Sequence, residues 1–518
     1  MTAAKSLLKA LAAQLSRLST DRSGNIATMF AILIIPMIAM IGSAIDYSNA
    51  YRTKLRVQEA LDATSLAVNR SIGERSTEEL QDLAQEMFAN NLSLKHTATL
   101  ASIDIQGDER IVTLQADGEV NTFFMSLFGI DKMNFSAMSQ TVTGTRKFEI
   151  SMVLDNSGSM AGSKIRDLRT AADNLVEVFF KGESVSEAVK VGIAPFAASV
   201  NVGSGYRNAS WIDSTGISPV HSENFDENVS RFDIYDNIAN ADWAGCVEMR
   251  PYPLDVQDTT PAPSDPASYF VPMFAPDEPD DESAAENNYL CDDPSSGGGR
   301  RRRSSCSGSS MTWDEAQMNV DKYYSGVRAS GDYGPNHNCT TTPITPLTST
   351  KSVITAALDR MDANGMTNIQ SGVMWGWRVI SNKEPFTEGV PSNDRDWIKA
   401  IVLMTDGANT HRGKNSPNMS MYSAFGYARN GRLGPPTRST STLVARMNDR
   451  TLEACTNVKA DGILIYTVAF GIDDNVTRTL LRNCATNPEM AYTPSNGSEL
   501  VAVFNQIGVD LSTLRIAQ

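Results

Sequence analysis

Runs of apolar residues alternate with amphipathic helical patterns over the C-terminal part of the chain. Continuous apolar runs, which are typical of buried strands, cover residues 148–154, 189–196, 398–404 and 463–470. Apolar residues at helical spacing lie between and after these runs, at residues 164–180, 352–361, 368–380, 451–459 and 498–511. Strands of this kind separated by helices indicate a mostly parallel sheet that helices cover on both faces. The pattern predicts a doubly wound, Rossmann-like α/β domain over residues 147–515.

This alternation is interrupted between about residues 203 and 345. The stretch is rich in Pro, Ser, Asn, Asp and Gly, and it contains an acidic run at 277–282 and four arginines at 300–303. Such a composition predicts a large irregular insertion in the domain, partly disordered around residues 295–310. The arginines fit either a docking patch or a solvated loop, and a solvated loop is the more common case.

An uncharged apolar run occupies residues 26–45 near the N-terminus and is long enough to cross a bilayer as a helix. Most of the charged residues before it are basic: Lys5, Lys9, Arg17 and Arg22. The positive-inside rule then places residues 1–25 in the cytoplasm and the bulk of the chain in the periplasm. A cleaved signal peptide is the alternative, because Gly42-Ser43-Ala44 offers a small-x-small site. The length of the run favours an uncleaved, single-pass anchor in the inner membrane.

Residues 46–146 continue the run as a helical stalk followed by a small α+β domain. Four residues recur at 4-3-4 spacing, as on a helix with one apolar stripe: Val57, Leu61, Thr64 and Val68. The stripe can pack on a partner helix or on its own domain. Partial alternation within residues 101–145, with turn signals at Gly107-Asp108 and Asp117-Gly118, predicts strands.

Charge and cysteine content narrow the classes of partner and site. The formal net charge is −15. An acidic surface argues against nucleic acid as a partner, because phosphate binding needs clustered Lys and Arg. The six cysteines form no CxxC pair, which argues against a zinc ribbon or a thioredoxin-like motif.

An even number of cysteines fits disulfides in a domain outside the cytoplasm, with free buried thiols as the alternative. Cys455 and Cys484 lie on two successive helical patterns that flank the last apolar strand, so we expect a bridge between them. The other four lie in the insertion and allow three pairings: Cys246, Cys291, Cys306 and Cys339.

Side chains with oxygen ligands lie on three loops of the predicted α/β domain. Asp155, Ser157 and Ser159 follow the first strand, Thr367 lies between two helices, and Asp406 follows the strand at 398–404. Ligands of open α/β sheets bind outside the carboxyl ends of the strands, so we expect these loops to converge. Carboxylate and hydroxyl oxygens suit Mg²⁺ or Ca²⁺, whereas zinc favours His and Cys. The residues predict a divalent cation, Mg²⁺ first and Ca²⁺ or Mn²⁺ as alternatives, with an open position for an Asp or Glu of a partner.

The DxSxS sequence, the distant Thr and the Asp of a Thr-Asp-Gly turn together resemble the metal-ion-dependent adhesion site (MIDAS) of von Willebrand factor A (vWA) domains. This resemblance implies that Ser157, Ser159 and Thr367 contact the ion, and that Asp155 and Asp406 act largely through water. The alternative is a vWA fold whose vestigial metal site has a purely structural role.

Further phrases resemble proteins of the tight-adherence (Tad, Flp) pilus machinery. Three phrases near the N-terminus resemble TadE/TadG-type proteins: Gly24-Asn25-Ile26-Ala27, Ala44-Ile45-Asp46-Tyr47 and Leu61-Asp62-Ala63-Thr64. Three phrases in the later domain resemble TadG proteins with a vWA domain: Trp243-Ala244-Gly245-Cys246-Val247-Glu248, Cys339-Thr340-Thr341 and Trp375-Gly376-Trp377-Arg378. TadE- and TadF-like pseudopilins are cleaved at a Gly that is followed five residues later by Glu. Met29 stands at that position here, so we expect no such cleavage.

The resemblance implies a non-enzymatic, membrane-anchored component of pilus assembly or adhesion. Its vWA domain is expected to bind a protein of the pilus machinery or a surface protein through the metal. The alternative is a chelatase-like vWA subunit that presents a substrate or partner to an enzyme complex.

Overall fold

The computed structural model describes residues 25–72, 75–92, 98–106, 111–142, 147–279, 287–292, 311–330, 333–394 and 396–514. The chain forms two compact units, Met1–Thr145 and Arg146–Ala517. Each unit has hydrophobic clusters of its own.

The described part of the first unit combines helices with an antiparallel sheet in the order β1-β2-β3. Its elements are α1 (Asn25–Arg70), α2 (Thr77–Asn91), β1 (Ala98–Gln106), β2 (Ile111–Asn121) and β3 (Lys132–Val142). A capping box at Ser76 and Glu79 begins α2, because each side chain binds the other residue's backbone N–H.

Helix α1 runs without a break through the predicted membrane span and the predicted stalk, and it contains Pro36. Large apolar side chains are exposed along its first half: Met29, Phe30, Ile32, Leu33, Met37, Ile38, Met40 and Ile41. Among the described residues, this one helix is long and apolar enough to cross a membrane. So much exposed apolar surface needs lipid or a partner to cover it, which supports membrane anchoring through α1.

The apolar stripe of α1 packs within the first unit. Val57, Leu61, Thr64 and Val68 are all fully buried. Val57, Leu61 and Val68 share a hydrophobic cluster with residues of α2 and β2, including Phe88 and Leu114. Packing on its own domain therefore accounts for the stripe.

The second unit alternates strands and helices around one sheet. Its described strands and α-helices are β4 (Lys147–Asp155), α3 (Ser163–Phe180), β5 (Val189–Phe196), β6 (Val200–Asn201), α4 (Arg231–Asn237), β7 (Cys246–Val247), α5 (Trp313–Met318), β8 (Thr345–Thr348), α6 (Lys351–Arg360), α7 (Ile369–Ile380), β9 (Trp397–Thr405), α8 (Thr440–Ala460), β10 (Leu464–Ala469), α9 (Asn475–Cys484), β11 (Ala491–Tyr492) and α10 (Gly497–Leu514).

The sheet has the order β11-β10-β9-β4-β5-β6-β7, and β8 also pairs with β5. Strands β4, β5, β9, β10 and β11 are parallel, whereas β6, β7 and β8 form antiparallel pairs. Taken in chain order, β4, β5, β8, β9, β10 and β11 are arranged 3-2-1-4-5-6, which is the doubly wound order. The predicted α/β fold is confirmed, with a mixed rather than purely parallel sheet.

Apolar side chains cover both faces of this sheet. Along β4, Ile150, Met152 and Leu154 belong to a cluster with α3, α6 and α10. Val153 points to the other cluster, which includes residues of α7, α8 and α9. Helix α7 approaches the sheet closely because Gly376 carries no side chain: a Cβ there would lie 2.2 Å from Val153 Cγ2.

The insertion is irregular, as its composition predicts, but its described parts are well packed. Trp211, Phe270, Phe274 and Tyr323 are buried in the same cluster as α7 and α8. The acidic run begins with a buried residue, Asp277, and its end lies outside the described residues, as do the arginines and the region of expected disorder at 295–310.

The structure also assigns one cysteine pairing in the insertion. Cys246 and Cys339 form a disulfide across 93 residues of sequence, with Cα atoms 5.6 Å apart. Cys291 is disulfide-bonded as well, and Cys306 lies outside the described residues.

Truncation of the α1 stripe should destabilise the first unit selectively. Replacing the fully buried Leu61 with Ala is expected to lower its free energy of unfolding by about 3 kcal/mol, because the cavity left behind adds to the lost burial. Hydrogen exchange of the β2 amides in the full chain measures this change. The control is Leu66→Ala on the same helix, where the side chain is 41% exposed. Equal effects of the two substitutions would contradict the packing described above.

Candidate metal centre

The two predicted aspartates lie side by side at the carboxyl edge of the sheet. Strands β4 and β9 are parallel neighbours, with Leu154 in register with Met404. Asp155 ends β4, and Asp406 directly follows β9. Strand order reverses between these two strands, and such a topological switch point is where doubly wound sheets bind ligands.

Backbone hydrogen bonds join the three predicted loops. The N–H of Gly158 donates to the carbonyl of Gly365 at 2.9 Å, which ties the first loop to the loop of Thr367. The N–H of Thr410 donates to the carbonyl of Thr367 at 2.8 Å, which ties that loop to the segment after Asp406. Thr367 itself is 5% exposed. The structure therefore brings together loops that lie far apart in sequence.

Side-chain hydrogen bonds link four of the five predicted ligands. The hydroxyls of Ser157 and Ser159 are 3.1 Å apart, and Ser159 Oγ donates to Asp406 Oδ1 at 2.5 Å. Asp155 Oδ1 accepts the backbone N–H of Ser157 at 2.7 Å, and its Oδ2 accepts from Thr405 Oγ1 at 2.5 Å. The oxygens thus form one cluster at the edge of the sheet.

Burial makes the charge of Asp155 unfavourable. The pKa of this carboxyl is raised to about 6, mainly by desolvation and to a smaller extent by the nearby charge of Asp406, while hydrogen bonds from Thr405 and Ser157 oppose the rise. Among the described residues, no Lys, Arg or His forms an ion pair with Asp155. At neutral pH its ionisation costs roughly 3 kcal/mol of stability, because each pKa unit corresponds to about 1.4 kcal/mol.

Lys164 and Thr405 also belong to the cluster, although the sequence patterns did not single them out. Lys164 Nζ, on the first turn of α3, donates to Asp406 Oδ2 at 2.5 Å. The Lys164 side chain is 37% exposed, whereas that of Asp406 is fully buried. Thr405 could have been found from its place beside Asp406 at the strand end. Lys164 required knowledge that α3 begins beside the loop of Ser159.

These residues fit a hard divalent cation. The cluster offers carboxylate and hydroxyl oxygens, which Mg²⁺, Ca²⁺ and Mn²⁺ prefer. In the part of the chain that the structure describes, no group of three or more His, Cys, Asp or Glu side chains could hold a metal. The donor set is therefore not that of a typical zinc centre. Ser159 at the rim of the cluster is exposed, so a ligand from outside can approach it.

The remaining predicted pair, Cys455 and Cys484, forms a disulfide. Its sulfurs join α8 to α9, with Cα atoms 5.2 Å apart. Both residues are fully buried in the cluster that contains α7.

Comparison with protein families places the N-terminal segment of the chain. Residues 24–70 match the family described as putative Flp pilus-assembly TadE/G-like. The predicted resemblance of this segment is thereby confirmed. No curated protein sequence matches the chain.

Several solved structures are similar to the chain at low sequence identity. The vWF domain of the type V pili tip protein Mfa5 from Porphyromonas gingivalis is 10% identical, and the match covers 72% of this chain and 97% of that one, with a TM-score of 0.34. The pilus adhesin SpaC from Lactobacillus rhamnosus GG is 11% identical over 80% of this chain and only 33% of its own, with a TM-score of 0.33. A von Willebrand factor type A protein from Catenulispora acidiphila is 9% identical over 80% of this chain and 49% of its own, with a TM-score of 0.27.

Gly365 holds the loop of Thr367 in place, so its substitution should weaken the site's scaffold. Its φ is +93°, and an added Cβ would lie 2.6 Å from Thr340 Oγ1, which donates to the Asn364 carbonyl. Gly365→Ala is expected to cost about 1–2 kcal/mol of backbone strain and about 1 kcal/mol more from the disturbed hydrogen bond. Denaturation followed by tryptophan fluorescence measures the loss, because all the tryptophans lie in the second unit.

Gly326→Ala provides the matched control for this measurement. Gly326 has a similar φ of +85°, but a Cβ there would meet nothing within 4 Å. A loss as large as that of Gly365→Ala would show that backbone strain alone explains the effect.

Proposed function

We propose that this chain is a membrane-anchored component of a Tad/Flp-type pilus-assembly or adhesion system whose vWA-like unit binds a protein partner through a divalent cation. Mg²⁺ is the first candidate for the cation. Its proposed ligands, direct or through water, are Asp155, Ser157, Ser159, Thr367 and Asp406. The match of residues 24–70 to the TadE/G-like family supports the link to pili.

The observation that carries the metal proposal is the buried pair of carboxylates at the switch point. Asp155 is fully buried, and its pKa is raised by that burial. A carboxylate that opposes folding in this way, in a cluster of oxygen ligands, is typical of a functional site. A bound divalent cation would supply the positive charge that Asp155 lacks, and it could accept one more oxygen ligand from a partner.

The burial of both carboxylates favours binding over catalysis. A general base must come within hydrogen-bond reach of the proton that it removes. The side chains of Asp155 and Asp406 are fully buried, and Asp406 already pairs with Lys164. We therefore assign the site to recognition of a partner's Asp or Glu.

Two disulfides support a location outside the cytoplasm for the second unit. Cys246–Cys339 and Cys455–Cys484 are both within this unit, and disulfides persist mainly in oxidising compartments. With α1 as a single-pass inner-membrane anchor, the N-terminus is then cytoplasmic and the second unit periplasmic. This is the orientation that the basic N-terminal residues favour.

Binding of metal and of partner should both depend on Asp155. Magnesium is titrated calorimetrically into the full chain in nanodiscs, and Asp155→Asn is expected to weaken binding by about 10- to 100-fold, as loss of an outer-shell metal ligand does. The variant should fold at least as stably as wild type, because it removes an unfavourable buried charge.

Capture of partners tests the second dependence. Proteins from the envelope fraction are captured on the wild-type chain and on the Asp155→Asn variant, each with Mg²⁺ or with EDTA. A pilus or surface protein should be retained only by wild type with Mg²⁺.

Asp473→Asn is the matched control, because Asp473 is an exposed aspartate in the loop that follows β10. It should leave metal binding and capture unchanged. If capture is unchanged by EDTA and by Asp155→Asn, the metal site does not bind the partner. If calorimetry detects no Mg²⁺ binding to the wild-type chain, the site is vestigial.

Lys164 should compete with the metal, because its ammonium pairs with Asp406 Oδ2. Lys164→Met keeps the aliphatic stem and removes the charge, so it is expected to tighten Mg²⁺ binding roughly fivefold, which corresponds to about 1 kcal/mol. Calorimetry on the full chain measures this change. Lys181→Met at the other end of α3 is the control and should have no effect. Weaker binding by Lys164→Met would instead assign the lysine to supporting the loaded site.

A further inference from the structure

The loop that joins β2 to β3, residues 122–131, carries unusually exposed apolar side chains. Phe123 is 74% exposed, Leu127 77%, Phe128 58% and Ile130 45%. We call this segment the hairpin loop. A contiguous apolar patch of this kind on a small domain marks an interaction surface.

The hairpin loop lies against the predicted membrane span of α1. Phe124, Leu127 and Phe128 line a small apolar pocket together with Ile38 and Ala39 of the helix. The contact is also close at Gly42, where an added Cβ would lie 2.5 Å from Phe124 Cβ. The loop therefore contacts the last two turns of the apolar run.

Asp46 fixes this position of the hairpin loop. It is the first residue after the apolar run, and its carboxylate accepts the backbone N–H groups of Phe123, Phe124 and Met125 at 3.1, 2.8 and 2.7 Å. Burial works to raise the pKa of Asp46, but the three N–H groups outweigh it and lower the pKa. The ionised carboxylate thus ties the base of the loop to the end of the span.

Other backbone groups of the hairpin loop find partners within the loop. The N–H of Gly129 donates to the carbonyl of Ser126 at 3.0 Å, and that of Ile130 donates to Met125 at 3.1 Å. Thr122 Oγ1 donates to the Ile130 carbonyl. Hydrogen bonds satisfied in this way are what non-helical backbone needs in order to enter an apolar medium.

We propose that the hairpin loop is a second membrane-contacting element, whose exposed apolar side chains insert into the lipid beside α1. The proposal rests on the membrane anchoring of the proposed function. Helix geometry sets the depth: Ile38 lies about 10 Å along the axis from Ile45, the last residue of the apolar run. The tip of the loop then reaches from the interface into the outer part of the hydrocarbon layer.

The surroundings of the loop favour a bilayer as the occupant of this surface. The loop continues the exposed apolar surface of α1, which a bilayer covers on all sides. Tyr47 and Tyr51, just past the span, are 62% and 54% exposed, as in the aromatic belts at membrane interfaces. Lys132 and Glu119 form an ion pair at the base of the hairpin and mark its water-facing end.

Site-directed spin labelling of the full chain in nanodiscs tests this depth. A nitroxide is attached at Leu127→Cys, at Met40→Cys on the apolar half of α1, and at Met138→Cys on β3. Met138 is 60% exposed, and it lies about 20 Å along the strand from Lys132. The described cysteines are all disulfide-bonded, so the added thiol can be labelled without reduction. Collision rates with oxygen and with a water-soluble nickel chelate report lipid and water contact, respectively.

The Leu127 label is expected to behave like the Met40 label, with oxygen favoured over the nickel chelate, whereas the Met138 label should show the reverse order. A Leu127 label that matches Met138 would place the loop in water and overturn the proposal. Protection of Leu127 from both reagents would also overturn it, because protein would then cover the loop. If the Met40 label is itself in water, the membrane span of the proposed function fails together with the loop.

Discussion

The parallel pairing of β4 with β9 is the constraint on which the candidate site depends. These strands are separated by about 250 residues of sequence, yet their register brings Asp155 and Asp406 to the same edge of the sheet. Apolar side chains on both faces of β4 hold that register, because a shift by one residue would turn each of them towards the opposite layer. The hydrophobic core therefore sets the spacing of the polar cluster.

Much of the fold could be predicted because buried parallel strands are continuous apolar runs. The strand predicted at 189–196 has those bounds in the structure, and the others differ by one residue at each end. Helix α8 begins at Thr440, whereas it was predicted from residue 451. The prediction missed its first turns because they bury only Leu443 and Met447. A helix with so few buried positions shows little apolar periodicity. The candidate site was predicted from residue types on three loops. The ammonium group of Lys164, which pairs with Asp406, was not predicted.

The packing of the insertion could not be predicted, because pairing of buried charges brings together distant parts of the chain. Arg231 and Glu248 are fully buried and paired at 2.5 Å, and Arg432 and Tyr422, from beyond the insertion, also bind Glu248. A composition rich in polar residues indicates exposure when each residue is considered alone. Paired charges can instead be buried, since each satisfies the other.

Pairing with a cationic side chain also distinguishes the buried carboxylates of the core from Asp155 at the candidate site. Glu248 lies between two arginines, and Glu149 lies between Lys190 and Lys399. Asp155 is as deeply buried, but its described neighbours are hydroxyls, a backbone N–H and a second carboxylate. Hydroxyls can orient a carboxylate but cannot neutralise it. The fold thus supplies cations where a carboxylate serves only the core, and at the switch point it leaves a buried charge that an ion from solution could complete.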